Sequence, residues 1–105
     1  SLSNISLSVQ EALDLPQSVG VYISDVVQGG PADKAGLRGG TQPSQVQGYY
    51  KGGDLIIAVD GIPVKDFSEM FNYIVINKNP GEVVVFTVIR DGKEMEFNLT
   101  VEARR

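Results

Sequence analysis

An α+β domain, a small antiparallel sheet folded as a barrel or sandwich and flanked by two to three short helices, is the fold this sequence predicts. Three observations carry it. Behind an Asp91-Gly92 turn, apolar Met95, Phe97, Leu99 and Val101 alternate with Glu94, Glu96, Asn98 and Thr100, the pattern of a hairpin strand with one core face and one wet face. Leu55 to Val59 is an unbroken apolar run closed by Asp60-Gly61, as expected of a strand buried on both faces that ends in a tight turn. Helix start and stop signals bracket Pro31 to Gly36 and Asp66 to Asn79. The length of 105 residues suits one domain spanning 1–105, with no internal repeat.

In chain order, a short leading strand is expected near Ser3 to Leu7. Ser8 and Glu11 have the capping-box spacing, with Leu7 and Ala12 as a hydrophobic staple, so a helix of about Val9 to Leu13 follows, and Pro16 ends it. Gly20 to Val27 is rich in β-branched and aromatic residues and bounded by glycines, the pattern of a central strand. Pro31 then sits at a first helical position and Gly36 just past the end, where a left-handed cap belongs. Residues 38 to 53 hold five of the twelve glycines, which predicts an inserted loop with a small hairpin near Val46 to Tyr50. After the strand at Leu55 to Val59 and a turn toward Ile62-Pro63-Val64, Asp66 and Glu69 open a helix with Phe67, Met70, Phe71, Ile74 and Val75 as apolar positions. Asn79-Pro80-Gly81 stops it, and Glu82 to Arg90 is apolar enough for a strand covered on both sides.

Composition narrows the chemistry. With 42% hydrophobic and 21% charged residues, the chain lies well away from the disordered class. Its longest apolar run is five residues, against about 20 for a membrane-spanning helix, so no membrane insertion is expected. The N-terminus shows none of the parts of a secretory signal, so any such signal is expected outside these residues. Net charge is −4, and the basic residues are scattered apart from Arg104-Arg105, which argues against nucleic acid as a partner. The absence of His and Cys removes disulfides, the usual zinc site, a thiol nucleophile and an imidazole base. Neither a phosphate-binding glycine motif nor a G-x-S-x-G elbow is present. Glu94 and Glu96 share the water-facing side of their strand and are expected to be solvated, and the sequons at Asn4 and Asn98 to be unmodified. No catalytic residue, metal site or cofactor is therefore expected in this chain, which by itself is not an enzyme.

Gly20-Val21-Tyr22-Ile23, Gly29-Gly30-Pro31-Ala32-Asp33-Lys34-Ala35-Gly36-Leu37 and Gly52-Gly53-Asp54 through Gly61 together resemble a PDZ domain over most of the chain. Pro80-Gly81-Glu82 and Ile89-Arg90-Asp91-Gly92-Lys93 resemble in particular the bacterial PDZ domains of HtrA/Deg trypsin-like serine proteases, with their circularly permuted strand order. The glycine-rich insertion is similar to that of one subset of these proteases.

The resemblance implies a module that recognises C-terminal or extended, unfolded peptide segments by strand addition, serving substrate recognition or regulation of a serine endopeptidase. The catalytic domain of that parent, a partner in the same chain, would lie outside these residues, and the location would be extracytoplasmic, periplasmic or in the cell envelope of a bacterium. The implied groove runs between Asn4, Ile5, Ser6 and Leu7 on the leading strand and Phe67, Met70, Phe71 and Ile74 on the facing helix. Met70, a flexible thioether, is the residue expected to border the ligand pocket, and the helical stripe as a whole also suits plain core. One departure stands out: the family's apolar-Gly-apolar loop, which receives a ligand's carboxylate, has no counterpart, since no glycine precedes Gly20. Residues 1–7 thus read as a truncated or diverged ligand-binding strand. Alternative parents are a site-2-type metalloprotease, a tail-specific processing protease, or a non-proteolytic secretion-system scaffold.

Overall fold

The sheet is organised by two turns that the sequence marks. In the computed structural model, which describes residues 2–3, 10–11, 15, 17, 19–44 and 50–102, Asp60 and Gly61 have φ of 49° and 80°, and Asp91 and Gly92 have 52° and 77°. Paired left-handed residues match the twist of a two-residue hairpin, so each turn sends the chain straight back along its own strand. The strands are β1 (Leu2–Ser3), β2 (Val21–Ile23), β3 (Gln42–Pro43), β4 (Tyr50–Lys51), β5 (Leu55–Val59), β6 (Ile62–Pro63), β7 (Val83–Arg90) and β8 (Lys93–Thr100). The helices are α1 (Pro31–Ala35) and α2 (Phe67–Asn77).

All strand pairs are antiparallel, in the order β1-β2-β5-β7-β8 with β6 on β5, while β3 and β4 form a separate ribbon. Among the described residues the main sheet is open, with β1 and β8 at its ends, so the layered form of the expectation holds and the closed barrel does not. One face carries Val21, Ile23, Ile56, Val59, Val84, Phe86 and Val88, buried together with Leu37, Val64 and Met70. Both helices cover this face. The other holds Tyr22 and Leu55 as a smaller cluster, with Leu15, Ile57 and Ile89 against it.

Helix ends follow their signals. Gly36 has φ of 95°, and the Leu37 N–H donates to the Ala32 carbonyl while the Gly36 N–H donates to Asp33, the paired bonds of a Schellman cap. At the start of α2 the Asp66 carboxylate accepts from the Glu69 N–H, and the Glu69 carboxylate accepts from the Lys65 N–H at 2.7 Å.

Several boundaries differ from expectation. The strand expected over Gly20 to Val27 ends at Ile23, because the Ser24 carbonyl is taken by the Gly40 N–H and the chain turns off toward α1, leaving Val27 exposed. In the inserted loop β3 and β4 pair Gln42 with Lys51 and Pro43 with Tyr50, and the hairpin expected near Val46 to Tyr50 falls mostly on residues 45–49, which lie outside the described residues. A register shift between Ile56 and Ala58 leaves Ile57 and Ala58 half-buried, so β5 is not covered on both faces. Met95, expected in the core, is exposed. The leading strand is seen at Leu2–Ser3, and of the first helix only Gln10 and Glu11 are described, both helical.

Candidate functional site

Residues Phe67, Met70, Phe71 and Ile74 recur at the i, i+3, i+4, i+7 spacing that gives one face of a helix, and α2 lays that face over the sheet. The four border one apolar hollow of about 380 Å³. Its floor is Ile23, Ile56, Phe86 and Leu99 from four strands, and Pro31 and Ala32 of α1 form the opposite wall. Glu102, held by Lys34 at 3.2 Å, stands at the rim.

Depth separates the four. Met70 is 3% exposed and belongs to the core, whereas Phe67 and Phe71 are each 36% exposed and stack with ring centroids 5.6 Å apart. Helical spacing shows which residues share a stripe; how deep each one sits depends on the rotation of α2 about its axis, which is set by contacts distant in sequence. Met70 is thus the base of the hollow, and the aromatic pair forms its accessible lip.

The far end of α2 is fixed by a polar cluster. The Tyr73 hydroxyl donates to Asp60 at 2.7 Å, Lys78 Nζ lies 3.0 Å from the same carboxylate, and the Val85 N–H donates to its other oxygen at 2.9 Å. Burial pushes the Asp60 pKa up, but those three donors outweigh it and the net shift is downward. The hydrogen bond to Asp60 raises Tyr73 and Lys78 in turn.

A second cluster holds α1 against the sheet. Asp54 is fully buried, its oxygens each accept from Arg90 at 2.7 Å, and the Arg38 N–H adds a bond at 2.9 Å. Arg90 also donates to the Gly36 carbonyl at 2.8 Å and lies 4.6 Å from the Phe97 ring centre. The bond to Asp54 raises the Arg90 pKa further and keeps the guanidinium charged. Tyr22 donates to the Tyr50 carbonyl and accepts from the Gly53 N–H, securing the ribbon to the sheet, and burial raises its pKa.

Of the sequence-predicted site residues, the four on α2 come together, and Asn4, Ile5, Ser6 and Leu7 lie outside the described residues. Sequence reasoning missed the floor residues from β2, β5, β7 and β8, which looked like ordinary strand core. It also missed both carboxylate clusters, whose only local trace is an Asp beside a turn glycine. Among the described residues no group of three or more His, Cys, Asp or Glu could hold a metal ion. Apart from Glu102 at its rim the hollow is lined by apolar side chains, and what it can do is take up apolar side chains.

A family model described as PDZ domain matches residues 4–101. The protein named "Probable periplasmic serine endoprotease DegP-like" of Chlamydia pneumoniae is 36% identical over 101 residues, covering 96% of this chain and 18% of that protein. The periplasmic pH-dependent serine endoprotease DegQ of Escherichia coli K12 is 27% identical over 100 residues, 95% of this chain and 19% of that one. The chain therefore spans about a fifth of the length of these curated relatives. Among solved structures, the HtrA3 PDZ domain superposes with a TM-score of 0.68 at 24% identity, covering 95% of this chain and 78% of that one. The HtrA-type protease AlgW gives 0.75 at 22% identity, covering all of this chain and 28% of that one.

Proposed function

This chain belongs to the PDZ domain family, and on that premise we propose that it is the peptide-receiving module of an HtrA-like serine endopeptidase located outside the cytoplasm. The observation that carries the reading is the apolar hollow between α2 and the sheet, lipped by Phe67 and Phe71 and floored in part by Ile23 of β2, the strand on which β1 pairs. An extended segment adds to an open strand edge through backbone bonds, and its side chains enter the neighbouring pocket. Beyond its pairing with β2, the other edge of β1 has no partner strand among the described residues. In this reading Asn4, Ile5, Ser6 and Leu7 continue the receiving strand, Phe67, Phe71 and Ile74 contact the ligand, and Met70 supports them from beneath.

The names of the relatives favour a serine endoprotease of the Deg type as parent over a metalloprotease, a tail-specific protease or a scaffold, and their periplasmic naming supports the location. Two related structures were determined with peptides, AlgW with a decapeptide and the HtrA3 PDZ domain with a phage-derived ligand. The ligands of this module are then unfolded or C-terminal segments of proteins, handed on to a catalytic domain of the same parent.

The test is a fluorescence-anisotropy titration of the full-length parent with labelled decapeptides that end in an apolar residue, comparing wild type with Phe71→Asp. Phe71 is exposed enough to change without unfolding the domain, and a desolvated carboxylate beside an apolar ligand side chain lacks a partner. Binding should weaken more than tenfold while the domain stays folded, with a cooperative thermal transition and only a modest fall in its midpoint. Equal affinity in the two proteins refutes the assignment of the hollow.

A further inference from the structure

The sheet face turned away from α2 carries a second hollow, of about 780 Å³, built from different residues. Cross-strand pairing places its parts on one surface, because Ala58 lies opposite both Thr87 and Pro63, and Thr87 lies opposite Glu96. Glu94 follows on the same side, two residues back along β8. Ile57 and Ala58, half-buried, give this surface an apolar floor.

Two features point to an occupant. Thr87 is only 7% exposed, yet its hydroxyl has no hydrogen-bond partner among the described residues, which is a standing cost for a buried polar group. Glu94 and Glu96 are exposed, stand about 7 Å apart by strand geometry, and have no cation within ion-pair distance among the described residues. The same spacing separates alternate side chains of any extended chain, so two basic residues at i and i+2 meet both carboxylates at once. Arginine suits the position, since its guanidinium pairs with carboxylate in a fork and its aliphatic stem lies well on an apolar floor. The net charge of −4 favours a basic partner as well.

We propose that this face docks an extended segment of a partner protein bearing two arginines two residues apart, which pair with Glu94 and Glu96 while their stems cover Ile57, Ala58 and Pro63. A polar main-chain group of the segment meets the Thr87 hydroxyl. The site is independent of the hollow under α2.

The probe is a fluorescein-labelled peptide of sequence valine-arginine-threonine-arginine-valine, capped at both ends so that no terminal carboxylate takes part. Titrated into ¹⁵N-labelled protein at low ionic strength, it should shift the amides of Ala58, Thr87, Glu94 and Glu96 and leave those of Phe67 and Phe71 in place. Glu94→Gln with Glu96→Gln should weaken binding at least tenfold, whereas Glu82→Gln should change it less than twofold. Unchanged affinity in the double variant, equal loss in the Glu82 control, shifts centred on α2, or self-association through this face in the absence of peptide would each overturn the proposal.

Discussion

Asp54→Ala should destabilise the domain by about 3–5 kcal/mol, the range for removing one partner of a buried ion pair. The carboxylate is fully buried and accepts two bonds from Arg90 at 2.7 Å and one from the Arg38 N–H at 2.9 Å. Its loss strands a guanidinium whose side chain is 13% exposed, together with a main-chain donor that itself costs roughly 1–3 kcal/mol when left unpaired. The Gly36 carbonyl and the Phe97 ring still hold Arg90, which keeps the loss toward the lower end of the range. Against a total stability of about 5–15 kcal/mol for a domain, this is a large fraction. Urea unfolding followed by far-ultraviolet circular dichroism measures it. The exposed pair Arg38–Asp91, at 3.6 Å, is the control, and Asp91→Asn, which removes the charge and still tolerates φ of 52°, should cost less than about 1 kcal/mol. Asp54→Leu combined with Arg90→Met should recover the part of the loss that comes from the stranded charge, while the Arg38 N–H stays unpaired. A loss below about 1 kcal/mol for Asp54→Ala, or a double variant as unstable as the single one, would refute this account of the clamp.

Gly36→Val should cost more than about 1 kcal/mol by the same assay, because φ of 95° suits few side chains and a Cβ there would meet the Phe97 ring at 3.3 Å; unchanged stability would contradict the strained cap. Met70→Ala should cost about 2–5 kcal/mol, and Met70→Glu should unfold the domain rather than merely block a ligand, whereas Phe71→Ala should shift the urea midpoint far less. Asp60 has a depressed folded pKa, so its contribution to stability is complete above the unfolded carboxylate value of roughly 4 and is lost as pH falls through the lower folded value. Urea midpoints measured between pH 5 and pH 2 should therefore fall less steeply in Asp60→Asn than in wild type, and parallel curves would show that the Tyr73–Lys78 cluster has no part in the acid limb.

Features that depend on a few consecutive residues are legible in the amino-acid sequence itself. The Gly36 cap, the turns at Asp60-Gly61 and Asp91-Gly92, and the Asp66 start of α2 each rest on backbone conformations or hydrogen bonds that close within about five residues. The motifs built on those same positions also carried the PDZ resemblance, and the family match over residues 4–101 agrees with it. Periodicity likewise placed Phe67, Met70, Phe71 and Ile74 on one stripe. It did not give their depth, because that follows from how α2 is clamped by Asp60, Tyr73 and Lys78 and seated on Ile23, Ile56 and Phe86. The Asp54–Arg90 bond spans 36 residues of chain, and the bulge at Ile57 that uncovers part of the far face arises from registry with β7. Local signals fix how the chain bends; depth, registry and charge pairing are properties of surfaces that meet only after the chain has folded.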